Sequence, residues 1–238
     1  MKVTVNMQAR ALRRKGAATL RVLAALLAYP DAGLRAHLPE MSALLAADRA
    51  LGRARLGEVQ ALMRWLAAGD PVDAEVAYVE LFDRGRATSL HLFEHVHGDS
   101  RDRGPAMIDL GQTYARAGLL LKPDQLPDYL PVVLEFLSTQ PAREARDFLD
   151  EIAHLVNGIF GALQLRASRY ASVAGALLDM AGRQAQATPP PCEPDIDESW
   201  AEPAAFEGCP APGQVRPGQP QPVRIVRNTD PSPQGAPQ

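Results

Sequence analysis

The chain has 238 residues, with 25 Lys and Arg against 28 Asp and Glu, for a formal net charge of −3. That length suits one domain or two and supplies ample material for a core, while the near balance of charge excludes the strong basic excess of a dedicated nucleic-acid binder. Two cysteines, Cys192 and Cys209, are too few for a disulfide framework or an iron–sulfur site, so a reducing compartment is expected. No stretch approaches the roughly 18 consecutive apolar residues of a membrane span, so direct membrane insertion is not expected.

Six basic residues, from Lys2 to Arg21, precede the first acid. Arg21 interrupts the apolar run that a secretory signal requires, and Arg13-Arg14 lacks the pattern that follows a twin-arginine pair. Residues 1–16 therefore read as a basic, flexible N-terminus. From there to residue 186, apolar residues recur at spacings of three and four with no run of period two, which predicts an all-α domain.

The expected helices, in order, are Ala17–Tyr29, Gly33–Ala47, Leu51–Ala68 and a helix opened by Asp70-Pro71 that runs to Phe82. Asp70 serves there as cap and Pro71 as first helical residue. Asp102–Leu121 and Leu126–Leu137 follow, the latter with Pro131 in its first turn. A long amphipathic stretch at Ala142–Leu165 and a last helix at Tyr170–Met180 complete the set. Beyond Gln186 the composition changes: 13 of the 21 prolines fall between Pro189 and Gln238. Such a stretch cannot bury enough apolar surface to offset its ordering entropy, so residues 187–238 are expected to be a flexible tail. Within it, residues 192–209 gather six acids around Ile196, Trp200 and Phe206. That pattern fits either a docking segment or a solvated tail.

The richest stretch is Tyr78–Leu110, YVELFDRGRATSLHLFEHVHGDSRDRGPAMIDL. A connection between helices needs only a few Gly or Asp residues. Here Asp83, Arg84, Arg86, His91, Glu94, His95, His97, Asp99, Arg101, Asp102 and Arg103 far exceed that need. One reading is metal hydrolysis. His91, Glu94 and His95 match H-x-x-E-H, in which two histidines one helical turn apart bind zinc and the glutamate acts as base. A third ligand is missing from the pattern; His154 and Glu151 are generic candidates. Phosphate loops, nucleotide-binding glycine motifs and nucleophile elbows are absent from the sequence. The other reading is binding. Tyr78, Leu81 and Phe82 share a helical face that either packs into the core or forms a groove for an amphipathic helix, with nearby charges fixing register.

The segments ELFDRGRATSLHLFEHVHGDSRDRGPAMIDL at Glu80–Leu110 and LPDYLPVVLEFLS ending at Ser138 resemble the nitrate reductase molybdenum cofactor assembly chaperones, also called the delta subunit of respiratory nitrate reductase. LLAYPD at Leu26–Asp31 and DESWAEP at Asp197–Pro203 agree with the resemblance. It implies a cytoplasmic, non-enzymatic, all-helical chaperone without a cofactor of its own, similar to the redox-enzyme maturation chaperones. The implied partner is the apo catalytic (alpha) subunit of nitrate reductase, met through its N-terminal segment and a second surface. Molybdenum cofactor delivery proteins are a further implied partner. The family motif falls on Glu80, Phe82, Asp83, Arg86, Thr88, His95, Gly98, Asp99, Arg101, Asp102, Arg103 and Gly104. Expected apolar contacts to a client peptide are Tyr78, Leu81, Phe82, Leu90 and Leu92. Asp83, Glu94 and Asp99 are expected to receive basic leader residues, and Arg86, His95, Arg101 and Arg103 complete the candidate site.

Overall fold

A computed structural model describes residues 15–186 apart from Asp99 and Asp124. The expected basic N-terminus up to residue 14, Asp99, both cysteines and the tail from residue 187 with its acidic island lie outside the described residues. Ten α-helices and one 3₁₀ turn make up the rest: α1 Ala17–Leu26, α2 Ala32–Asp48, α3 Arg53–Ala68, α4 Pro71–Phe82, the turn Arg86–Thr88, α5 Leu92–His97, α6 Arg103–Arg116, α7 Leu130–Thr139, α8 Ala142–Glu151, α9 Ala153–Leu165 and α10 Ala171–Ala181. The described residues are all-α, as the periodicity predicts.

Three helices are the most completely buried. In α1, eight of ten residues are buried, in α7 eight of ten and in α10 nine of eleven. Helices apolar around most of their circumference must be surrounded. Accordingly α1 packs on α7 and α2, and α10 packs on α9, α3 and α8. The start of α1 is capped from a distance. The carboxylate of Asp48, last residue of α2, accepts from the Gly16 and Thr19 amides (3.1 and 3.0 Å) and from the Thr19 hydroxyl (2.6 Å). Gly16 reaches this arrangement with φ +92°, a conformation that disfavours a side chain.

Helix ends depart from the periodicity for local reasons. The first helix stops at Leu26 rather than Tyr29, because the residue before Pro30 is pushed away from helical backbone; Asp31 then caps α2 through the Leu34 amide at 2.7 Å. α6 ends at Arg116, five residues early, where Gly118 turns at φ +79° and the Leu119 amide returns to the Tyr114 carbonyl at 2.9 Å. The long apolar stretch 142–165 is two helices, not one. Ile152 interrupts it with φ −87° and ψ 2°, and the His154 ring Nδ1 donates to the Glu151 carbonyl at 3.1 Å. Neither proline nor glycine marks that break, so hydrophobic spacing alone runs through it.

Candidate functional site

The charged segment after α4 is folded into a corner by its own side chains. Thr88, fully buried, donates from Oγ1 to the Leu81 carbonyl and so turns the chain back onto the end of α4. Gly85 makes this possible: a Cβ there would stand 2.5 Å from Thr88 Oγ1 and 2.9 Å from the Leu81 carbonyl oxygen. Ser89 and His91 then have extended backbone, and the segment pairs with the loop before α7. The Leu92 amide donates to the Asp128 carbonyl (3.1 Å) and the Leu130 amide to the Leu90 carbonyl (2.8 Å), forming an antiparallel bridge between His91 and Tyr129. Leu90 and Leu92, on either side of the bridge residue, are buried at 2% and 3% exposure, while His91 is half-buried.

Asp128 anchors the corner. It is 0% exposed, and its carboxylate accepts from the Phe93 amide (3.2 Å) and His91 Nδ1 (3.3 Å), with Arg103 at 3.8 Å. A buried carboxylate needs such partners to remain charged. Around it, Ser89 donates from Oγ to Glu94, Arg103 donates to the other Glu94 oxygen at 3.4 Å, and the His95 Nε2 donates to the Ser89 carbonyl at 2.8 Å. The His91 ring lies against Tyr129, with centroids 5.2 Å apart. This network fastens α5 and the start of α6 to the loop preceding α7.

Below the corner sits an aromatic cluster. Tyr78 meets Tyr29, Phe82 and Tyr170 at centroid distances of 5.6, 4.9 and 6.1 Å. Its hydroxyl donates to the Leu27 carbonyl at 2.8 Å, and burial pushes that hydroxyl's pKa far above the usual tyrosine range.

The structure therefore sorts the candidate residues. Tyr78, Phe82, Leu90 and Leu92 are core, with exposures of 5%, 6%, 2% and 3%. Glu94, His95 and Arg103 are half-buried and engaged within the corner. Asp83, Arg86 and Arg101 are exposed, and Leu81 is half-buried along a groove beside α3. Sequence reasoning missed Asp128, whose signal was a lone carboxylate inside the apolar LPDYLPVVL segment.

The zinc reading fails on geometry. His91 is the residue before α5, with φ −89° and ψ 103°, so it is not one helical turn from His95 on a shared face. His91 turns to Asp128, His95 to the Ser89 carbonyl and Glu94 to Ser89 and Arg103. Among the described residues no group of three His, Cys, Asp or Glu is placed to hold a metal ion.

His91 gives the corner a pH dependence. Its hydrogen bond to Asp128 raises its pKa above the usual histidine value, against the opposing effect of partial burial. The protonated ring is thus favoured in the folded state. Its contribution to stability is fully present below about pH 6.5, the value for the unfolded chain, and fades as pH rises through the higher folded pKa. Urea midpoints should therefore fall between pH 6 and pH 8.5 more in the wild type than in His91→Gln; equal slopes would contradict the assignment.

α4 carries the most one-sided surface charge near the corner. Five carboxylates, Asp70, Asp73, Glu75, Glu80 and Asp83, occur from its cap to its end without one basic residue. Asp70 accepts from the Val72 amide, and Glu75 meets Arg35 and the Tyr29 hydroxyl. At 100° per residue, Asp73, Glu80 and Asp83 fall on the same side as Val72 and Val76, which are 64% and 50% exposed. Two exposed valines framed by exposed acids form a face suited to a basic amphipathic segment.

The family described as nitrate reductase delta subunit matches residues 30–173. The nitrate reductase molybdenum cofactor assembly chaperone NarJ of Escherichia coli (strain K12) is 47% identical over 162 residues, which cover 68% of this chain and 69% of that protein. The probable chaperone of the same description from Bacillus subtilis (strain 168) is 31% identical over 161 residues, 67% of this chain and 86% of that one. A crystal structure from Archaeoglobus fulgidus assigned to redox enzyme maturation shares the fold with a TM-score of 0.53 at 18% identity, over 76% of this chain and 100% of that one.

Proposed function

Because the chain belongs to the nitrate reductase delta subunit family, we propose that it binds the apo catalytic subunit of a respiratory nitrate reductase and holds it competent for molybdenum cofactor insertion. It is an assembly chaperone and not an enzyme, as its relatives are named. Among the described residues no helix is long and apolar enough to cross a membrane, which agrees with action on the client before anchoring.

The acidic, valine-bearing face of α4 supports this reading most directly. A client N-terminal segment with basic residues, folded as a short amphipathic helix, can lay apolar side chains on Val72 and Val76 while Asp73, Glu80 and Asp83 meet its cations. Arg86, three residues past Asp83, and Arg101 are exposed and offer charges to acids in the client. The braced corner fixes where α4 ends, and thereby where Asp83 stands. Contacts of this kind give modest affinity that falls with salt, as suits a chaperone that must release its client. The second client surface, and any contact with cofactor delivery proteins, belong to the same proposal.

Calorimetric titration with the N-terminal peptide of the catalytic subunit tests it. Asp83→Arg and Val76→Asp, both at exposed positions, should each weaken binding about tenfold, the scale of one lost charge-assisted contact or one desolvated anchor. Unchanged affinity in both variants would remove α4 from the interface.

A further inference from the structure

The other flank of α4 borders a second recess of opposite character. Trp65 from α3, Ala77 and Leu81 from α4 and Tyr170 at the head of α10 give it an apolar floor, and the 166–169 loop forms its far wall around about 480 Å³. Two arginines stand on that loop. Arg166 donates from Nη1 to the Ala162 carbonyl at 3.2 Å, and the Arg169 guanidinium lies over the Trp65 ring, 5.8 Å from its centroid. Neither comes within ion-pair distance of a carboxylate among the described residues. Between them the chain passes through Ala167 at φ +48°, an unfavourable backbone for a residue with a side chain, which persists only where its surroundings hold it.

We propose that this groove docks an acidic segment of a partner protein that also carries an apolar or aromatic side chain. The apolar residue would enter over Leu81 and Tyr170, and one or two carboxylates would pair with Arg166 and Arg169. Both guanidinium groups are already oriented, one by a backbone carbonyl and one by an aromatic face, so little side-chain freedom remains to be lost when a carboxylate arrives. A free nucleotide fits less well. Its base would have to displace Arg169 to stack on Trp65. The site adjoins the client face along α4, with Glu80 on the edge between them. It is basic where that face is acidic, so the chaperone can engage two segments of opposite charge at once.

The test uses the full chain and a fluorescein-labelled peptide that alternates Glu with Leu and Phe, read by anisotropy at low salt beside its Gln and Lys counterparts. Only the Glu peptide should bind, and Arg169→Glu should weaken it by about tenfold or more, the scale of a lost charge-assisted hydrogen bond. Arg166→Gln serves as a milder second variant, with melting curves confirming that both fold. The catalytic subunit's N-terminal peptide should bind Arg169→Glu as it binds the wild type, which separates failure here from failure of the client-face reading. Equal binding of the Glu and Gln peptides, equal binding to wild type and Arg169→Glu, or full displacement by inorganic pyrophosphate would overturn the proposal, the last by showing an anion site and not a peptide groove.

Discussion

Asp128→Ala should cost about 3 kcal/mol of stability, the upper range for leaving buried donors unpaired. The carboxylate is fully buried and meets the Phe93 amide, His91 and Arg103 together. Without it, the Phe93 amide at the start of α5 has no acceptor, and Arg103 loses one of the two acids that hold the start of α6. Asp128→Asn keeps an oxygen for the Phe93 amide but loses the charge, so it should cost about half as much. The His91-dependent fall of stability with pH should vanish in the alanine variant. Urea unfolding at two pH values measures all three effects, and an alanine variant as stable as the wild type would show that the corner is not braced through Asp128.

Tyr114→Ala should cost about 3–5 kcal/mol, the usual range for deleting a large buried aromatic side chain. Tyr114 is the only fully buried residue of α6. Its ring packs 4.8 Å from Phe136 and its hydroxyl donates to the Pro127 carbonyl at 2.8 Å. The rest of α6 is held by half-buried Leu110 and by Arg103, while Ile108 stands 62% exposed. The variant should therefore release α6 before the core, seen as fast amide exchange over 103–116 while α7 and α10 stay protected. Tyr114→Phe, which loses only the hydrogen bond, should cost about 1 kcal/mol. A loss in Tyr114→Ala no larger than in Tyr114→Phe would show that the ring does not anchor the helix.

Much of the architecture was legible because a helix declares itself through spacing. The Asp70-Pro71 start, the stop at Phe82 and Pro131 in the first turn of α7 all follow from local chemistry visible in the sequence. The break at Ile152 was not legible, since apolar spacing runs through it and the His154 ring bond that accompanies it is a matter of side-chain direction. The charged segment that the sequence singles out forms a braced corner, and the placing of its members is not legible from spacing. Tyr78 and Phe82 have the spacing of a surface stripe and of a core stripe alike; only the positions of Tyr170 and Leu27, distant in sequence, decide for the core. His91 and His95 have helical spacing, yet the bridge to Tyr129 holds His91 extended. Glu94, His95 and Arg103 have partners in Ser89, its carbonyl and Asp128, which tertiary pairing brings to them and spacing does not show. Asp83 is singled out in the sequence, but its sharing of a face with Asp73, Glu80, Val72 and Val76 emerges only with the helix and its exposure.

Recognition of an immature catalytic subunit is the central property of the protein, and a paired co-purification measures it directly. The chaperone should retain catalytic subunit made in cells unable to synthesise the molybdenum cofactor, and should lose it when the α4 face is changed by Val76→Asp with Asp83→Arg. It should not retain the subunit once the cofactor is in place. Equal retention of the empty and the loaded subunit, or of the empty subunit by the altered face, would contradict it.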